Sequence, residues 1–285
     1  MIRTIVLTAV AAAGGWGVTR AVLAGRGVID RRGRLDRTNH AGSTVSLIEG
    51  PAVAAGLTTA AVLVAAPSHR TAAVTATAVS GILGFVDDVA ESGSAKGLRG
   101  HLGALARGEI TTGALKVIGI PAAALLAAGV GRRPEPLGGS AALGALTDTV
   151  LAAGVIAGTA NLLNLLDLRP GRALKAGLLA LAIGESSPRT GTVLTGGALG
   201  VIAAAWPDDL AGSSMLGDTG ANALGAYLGT RYALSASRPR LALELTLLGA
   251  LTLASEKVSF TAVIARTPVL RELDAWGRPA ALVSP

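Results

Sequence analysis

The chain has 285 residues, of which 51% are hydrophobic and only 15% charged, with a mean hydropathy of +0.56. That is too little charge to cover a soluble domain of this length; a water-soluble Ala-rich helical protein would have to bury nearly every segment on all sides. The net charge of +7 would suit nucleic acid, but the basic residues sit in short loops between apolar stretches, where they read as topology and not as a nucleic-acid surface. With no cysteine, disulfides and thiolate metal sites are excluded.

The apolar stretches approach 20 residues, and at about 1.5 Å per residue each can cross a hydrocarbon core of about 30 Å as a helix. In chain order the predicted spans are 2–22, 46–66, 71–86, 112–130, 141–162, 173–183, 193–206, 219–234 and 241–254. The expectation is an all-α polytopic bundle of about nine spans, between about eight and about ten, because span boundaries carry errors of several residues. The sixth and seventh are short for a full crossing and are expected to extend into their flanks or bend. The opening residues share features of a signal peptide, with Arg3, an apolar run and small residues around Gly14 and Gly15. The basic loop that follows favours a retained first span. Trp16, Trp206 and Trp276 are the few candidates for an interfacial belt.

Lys and Arg accumulate on the cytoplasmic side of short loops. Arg26, Arg31, Arg32, Arg34, Arg37, Lys96, Arg99, Arg107, Arg169, Arg172, Lys175, Lys257, Arg266, Arg271 and Arg278 fall on one side of the predicted bundle. Only Arg3, Arg70, Arg132, Arg133, Arg189, Arg231, Arg238 and Arg240 fall on the other. The N-terminus is therefore expected outside and the C-terminus inside. Residues 1–285 are expected to form a single membrane domain with a cytoplasmic segment at 255–285.

Four polar clusters then fall on the cytoplasmic face: DRTNHAG (36–42), FVDDVAE (85–91), NLLNLLDLRPG (161–171) and SMLGDTGAN (214–222). Asp87 and Asp88 are adjacent carboxylates at the end of a span, where ionisable groups are costly, and their repulsion is relieved by a cation or a shared proton. A solvated helix end is the plainer alternative, although acids there oppose the helix dipole. Asp218 lies between Gly217 and Gly220 at a helix start, a place suited to phosphate, although taken alone an ordinary N-cap is the stronger reading. Asn161, Asn164 and Asp167 are spaced by three and share one helix face, which fits either substrate contact or interhelical hydrogen bonds. Gly225 and Gly229 form GxxxG, a mark of close helix packing. His40, His69 and His101 are too widely spaced for a zinc site. Asp148 and Glu244 lie within predicted spans, for which a proton path and pairing with a neighbouring helix are the two accounts.

In order and in topology these motifs resemble those of the polyprenyl-phosphate N-acetylhexosamine-1-phosphate transferases, the group that includes translocase I of bacterial peptidoglycan synthesis. GFVDDV (84–89) is similar to the family's paired-aspartate motif, SAKGLRGH (94–101) to the Lys-containing stretch after it, NLLNLLDLRPG to its Asn-Leu-x-Asp-Gly-x-Asp-Gly motif, and MLGDTGA (215–221) to its Met-Gly-Asp-x-Gly-Ser motif. The resemblance implies Mg²⁺-dependent transfer of a sugar 1-phosphate from a UDP-sugar to a membrane polyprenyl phosphate, with UMP released, in bacterial envelope glycan synthesis. It implies a multi-pass protein of the bacterial inner (plasma) membrane, in contact with membrane lipid, without nucleic acid, and compatible with a homodimer.

Carried over by residue, Asp218 holds the metal; Asp87, Asp88 and Asp167 are catalytic; Asn39, Lys96, Lys116, Asn161 and Asn164 bind substrate. Two positions depart from the family pattern: Leu168 stands at its first glycine and Pro170 at its second aspartate. Segment 255–285 has no histidine where the family often carries a His-rich motif that reads the nucleotide-sugar, and no further span is expected after it. A non-catalytic polyprenyl-phosphate-binding partner in envelope assembly is the alternative expectation. A small-solute transporter, coupled through Asp148 and Glu244, is a third.

Overall fold

The computed structural model describes residues 1–38, 42–90, 108, 111–132, 139–183 and 189–279, and these are nearly all helical. In chain order they form α1 (Ile2–Ala24), the short α2 (Arg26–Ile29), β1 (Asp36–Thr38), β2 (Thr44–Ser46), α3 (Glu49–Val62), α4 (Pro67–Ala90) and α5 (Thr112–Gly131). Then follow α6 (Gly139–Leu166), α7 (Arg172–Ile183), α8 (Thr190–Leu210), α9 (Gly217–Ala233), α10 (Arg238–Ser255), α11 (Phe260–Arg266) and α12 (Pro268–Ala275).

Each predicted span overlaps one helix, but the second and sixth fall on helices of only 14 and 12 residues, while the short seventh stretch extends into its flanks to give a helix of 21 residues. Among the described residues, four helices have the length and hydropathy to cross a bilayer: α1, α4, α5 and the 142–166 part of α6. A fifth is reached if α10 and α11, bent by 95° at their junction, are taken as one broken span. The remaining helices fall short for physical reasons. The 12 residues of α7 rise only about 18 Å, and α9 carries Asp218, Asn222 and Arg231 in its 17 residues.

Helix α9 can be polar because other helices enclose it. It is the most enclosed element of the bundle, with Ala221, Leu224 and Tyr227 in one apolar cluster and Ala226 and Ala233 in a second. The first cluster joins it to α3, α7 and α8, the second to α5, α6 and α10. Small residues permit this density. A Cβ at Gly225 would strike the Ala160 backbone, and one at Gly229 would lie 2.8 Å from Ile156 Cα, so the GxxxG pair lets α9 lie directly against α6.

One element departs from the all-α expectation. β1 and β2 pair antiparallel, with Asp36 opposite Ser46 and Thr38 opposite Thr44. The hairpin is tied to the loop before α9, since Ser46 N–H donates to Ser213 O at 3.4 Å and Met215 N–H to Ser46 O at 3.0 Å. Strands of three residues carry no hydrophobic alternation that a sequence could display.

Contacts sort the loops into two ends. At one end the hairpin, the C-terminus of α4, the α6–α7 turn and the α8–α9 loop meet around a cavity. At the other, His69 Nδ1 and Thr190 Oγ1 are 2.8 Å apart, Arg132 donates to Ala236 O at 3.0 Å, and Arg238 pairs with Asp148 at 2.5 Å. That ion pair gives Asp148 a neighbouring helix as its partner.

Candidate functional site

The site begins where α4 ends against the start of α9. Gly84 makes the approach, because a Cβ there would collide with the backbone of Asp218 and Thr219. The last turn of α4 is thereby laid beside the free N–H groups of α9. The Asp88 carboxylate caps them: Oδ1 accepts from Asp218 N–H at 3.0 Å, and Oδ2 accepts from Thr219 N–H at 2.9 Å and from Thr219 Oγ1 at 2.5 Å. An anion at a helix N-terminus is favoured by both the dipole and the unpaired donors. The Asp88 backbone carbonyl in turn accepts from Arg37 of the hairpin. Of the two adjacent aspartates, Asp88 is thus committed to holding the site's frame.

Asp87 turns elsewhere. Its Oδ2 lies 2.7 Å from Lys116 Nζ of α5, and the same ammonium contacts Asp218 Oδ2. The carboxyls of Asp87 and Asp218 are within hydrogen-bonding reach of each other, so positive charge is required between them, and Lys116 supplies it. All three side chains are largely enclosed, at 13%, 17% and 25% exposure for Asp87, Lys116 and Asp218.

A cavity of about 550 Å³ opens beside this triad. Asp88, Asn164, Asp167, Asp209, Ser214 and Asp218 line it, with Arg37 and Arg169 supplying positive charge. Asp167 follows the last residue of α6, and burial together with neighbouring Asp209 pushes its carboxyl well above the usual range, despite a hydrogen bond from Gly217 N–H. Asp209 lies past the apolar stretch that ends at Trp206, and burial pushes it up to about 7 against the Gly171 N–H and the charges of Lys175 and Arg278. Behind Ser214, fully buried Glu49 accepts from its hydroxyl.

The C-terminal segment braces the pocket's loop. Arg172 holds Asp274 through Nε at 2.7 Å and a second nitrogen at 3.0 Å, Lys175 donates to Asp274 O at 2.6 Å, and Arg278 Nε donates to Pro170 O at 2.8 Å. Trp206 and Trp276 meet edge to face with centroids 5.8 Å apart. Two of the three tryptophans expected in an interfacial belt therefore pack on each other at this end.

Of the residues singled out in the sequence, Asp87, Asp88, Lys116, Asn164, Asp167 and Asp218 come together. Asn161 does not: its amide donates to Thr252 Oγ1 of α10 at 3.1 Å, an interhelical bond away from the cavity. Asn39 and Lys96 lie outside the described residues, as does all of the SAKGLRGH stretch. Asp209, Glu49, Ser214 and Thr219 were not singled out. The signal for Asp209 was there, a second adjacent carboxylate pair, Asp208–Asp209, on the same predicted side as Asp87–Asp88.

The residues around Asp218 do not fit the metal that the resemblance places there. The ammonium of Lys116 already lies between Asp218 and Asp87, and both oxygens of Asp88 are bonded to the start of α9. Among the described residues, no group of three acids or histidines is disposed to hold a metal. The triad as it stands is a lysine–dicarboxylate centre, able to attract a phosphate to its ammonium and a proton to its carboxylates. Compared with known families and with curated proteins, the sequence matches no family model and no curated relative.

Proposed function

We propose that this chain is a membrane phosphoglycosyltransferase that moves a sugar 1-phosphate from a UDP-sugar to a polyprenyl phosphate and releases UMP. The observation that carries the reading is the meeting, in one cleft at one end of an apolar bundle, of motifs far apart in the chain: Asp87–Asp88, Asn164–Asp167 and Asp218 with Lys116.

The cleft end is assigned to the cytoplasm, with the N-terminus outside, the C-terminus inside and about nine helices within the thickness of the bacterial inner membrane. A lipid phosphate from the leaflet and a soluble nucleotide can then meet there. In the reaction a lipid phosphate oxygen forms a bond to the phosphorus that carries the sugar, and the bond from that phosphorus to the oxygen retained by UMP breaks. Both reactants are anions, so cations must face both. Lys116 is assigned to the lipid phosphate, Asp87 to positioning and deprotonating it, and Asn164 with Arg37 and Arg169 to the nucleotide diphosphate. Asp88 holds Asp218 and Thr219 in place.

The test is UMP release by purified protein given undecaprenyl phosphate, Mg²⁺ and a panel of UDP-sugars. UMP with at least one donor, lost in Asp87→Asn, supports the reading. A folded protein that binds polyprenyl phosphate yet releases no UMP with any donor supports instead a non-catalytic lipid-carrier protein, a reading favoured by Pro170 at the family's second aspartate.

A further inference from the structure

Two carboxylates in the cleft have oxygens that nothing else engages. Asp167 and Asp209 both line the cavity at 9% and 1% exposure, and each has its Oδ2 without a hydrogen-bond partner. Their other contacts fix them in place, since Gly217 N–H reaches Asp167 and Gly171 N–H reaches Asp209. Fully buried Glu49 adds a third carboxylate within electrostatic range, its Oε1 also unpartnered.

Most of the surrounding cations are committed to other groups, and Arg169, which also lines the cavity, is exposed. Lys116 is held by Asp87 and Asp218, Arg37 by the Asp88 carbonyl, Lys175 by the Asp274 carbonyl, and Arg278 by Pro170 O and Asp274. Buried carboxylate oxygens with no donor are costly unless a cation or a proton meets them. Hard oxygen donors on a polar cavity wall suit a hard cation. Mg²⁺ in particular is held by one or two carboxylates, with waters and phosphate oxygens completing its shell, so a set of three protein acids is not needed.

We propose that Asp167 and Asp209, not Asp218, hold a divalent cation of the Mg²⁺ type in this cleft, with its open positions turned to the ligand. This deepens the reading above and rests on it only in naming a nucleotide diphosphate as that ligand. Asp209 then supplies from α8 a carboxylate beside the α6–α7 turn, where the chain itself has Pro170.

The experiment is a Mn²⁺ titration of the full-length protein in detergent, read by electron paramagnetic resonance without nucleotide or lipid. One saturable Mn²⁺ site is expected, displaced by Mg²⁺, weakened at least about tenfold in Asp209→Asn and Asp167→Asn and retained in Asp218→Asn. Absence of a saturable site in the wild type, or a site lost in Asp218→Asn but kept in Asp209→Asn, overturns the proposal. Thermal unfolding of the wild type gives a readout that needs no variant: Mg²⁺ is expected to raise the midpoint, and an unchanged midpoint counts against the site. Because no transfer is measured, an inactive protein that binds Mn²⁺ here refutes the enzyme reading and leaves the cation site standing.

Discussion

At the scale of single residues, the adjacent aspartates do different work. Asp88 satisfies backbone donors at the start of α9, so Asp88→Ala is expected to destabilise the protein by about 2 kcal/mol, as loss of a strong N-cap does; a lower midpoint in thermal unfolding checks it. Asp87 faces Lys116, and Lys116→Met leaves two enclosed carboxylates opposed, at a cost of roughly 3 kcal/mol. Adding Asp218→Asn to Lys116→Met is expected to recover part of that loss, and a double-mutant cycle with no coupling would show that the triad does not act as a unit. Asp274 gives a pH dependence. Burial alone would raise its carboxyl, but hydrogen bonds from Arg172 and Arg278 outweigh that and hold it below the usual range. A depressed folded-state value stabilises above the unfolded value, near pH 4, and that stability is lost as pH falls through the folded one. Hydrogen-exchange protection of residues 260–279, taken relative to the intrinsic rate at each pH, should therefore be high at neutral pH and fall below about pH 4, or at neutral pH in Asp274→Ala.

At the scale of elements, the site exists because two helices meet closely. Gly84 is the point of closest approach, and Gly84→Ala forces a methyl group into the Asp218–Thr219 backbone. Overpacking of this kind costs about 1–3 kcal/mol, and displacement of the α4 terminus should abolish transfer even where the protein still folds. Activity and thermal midpoint measured together distinguish the two effects. Much of this scale was legible in the sequence. The apolar stretches located the long helices, and the polar ends of three of them, at Asp87, Asp167 and Asp218, marked the cleft. The hairpin of Asp36–Thr38 and Thr44–Ser46 was not legible, because strands this short have no period and are held by a loop far along the chain. Asn161 shows a limit of spacing: it shares a helix face with Asn164 by sequence, yet its side chain reaches α10, because the cleft occupies only the end of that face.

At the scale of the whole molecule, the buried acids among the described residues, Glu49, Asp167 and Asp209, gather at one end of an apolar bundle. Large apolar side chains are exposed on α1, α4, α5, α6 and α10, and the polar α9 runs through the interior. Hydropathy and length give four helices able to cross a bilayer, or five with the bent α10–α11 pair, fewer than the nine expected from the sequence pattern. Glu49 stayed hidden in the sequence, since only the packed bundle buries it against Ser214 of the cavity wall. Orientation is directly testable because the chain has no cysteine. Ser213→Cys, in the α8–α9 loop, is expected to react with a membrane-impermeant maleimide only after the inner face is opened, and Ser235→Cys, after α9, in intact cells.

The proposed activity of this cleft joins a sugar 1-phosphate to a lipid phosphate. It is tested most directly by following label from a UDP-sugar into butanol-extractable lipid with the purified protein. Labelled lipid made by the wild type, and lost in Asp87→Asn and Lys116→Met preparations that remain folded, is the predicted result. Label that never enters the lipid with any donor, or that enters equally in wild type and both variants, contradicts the account.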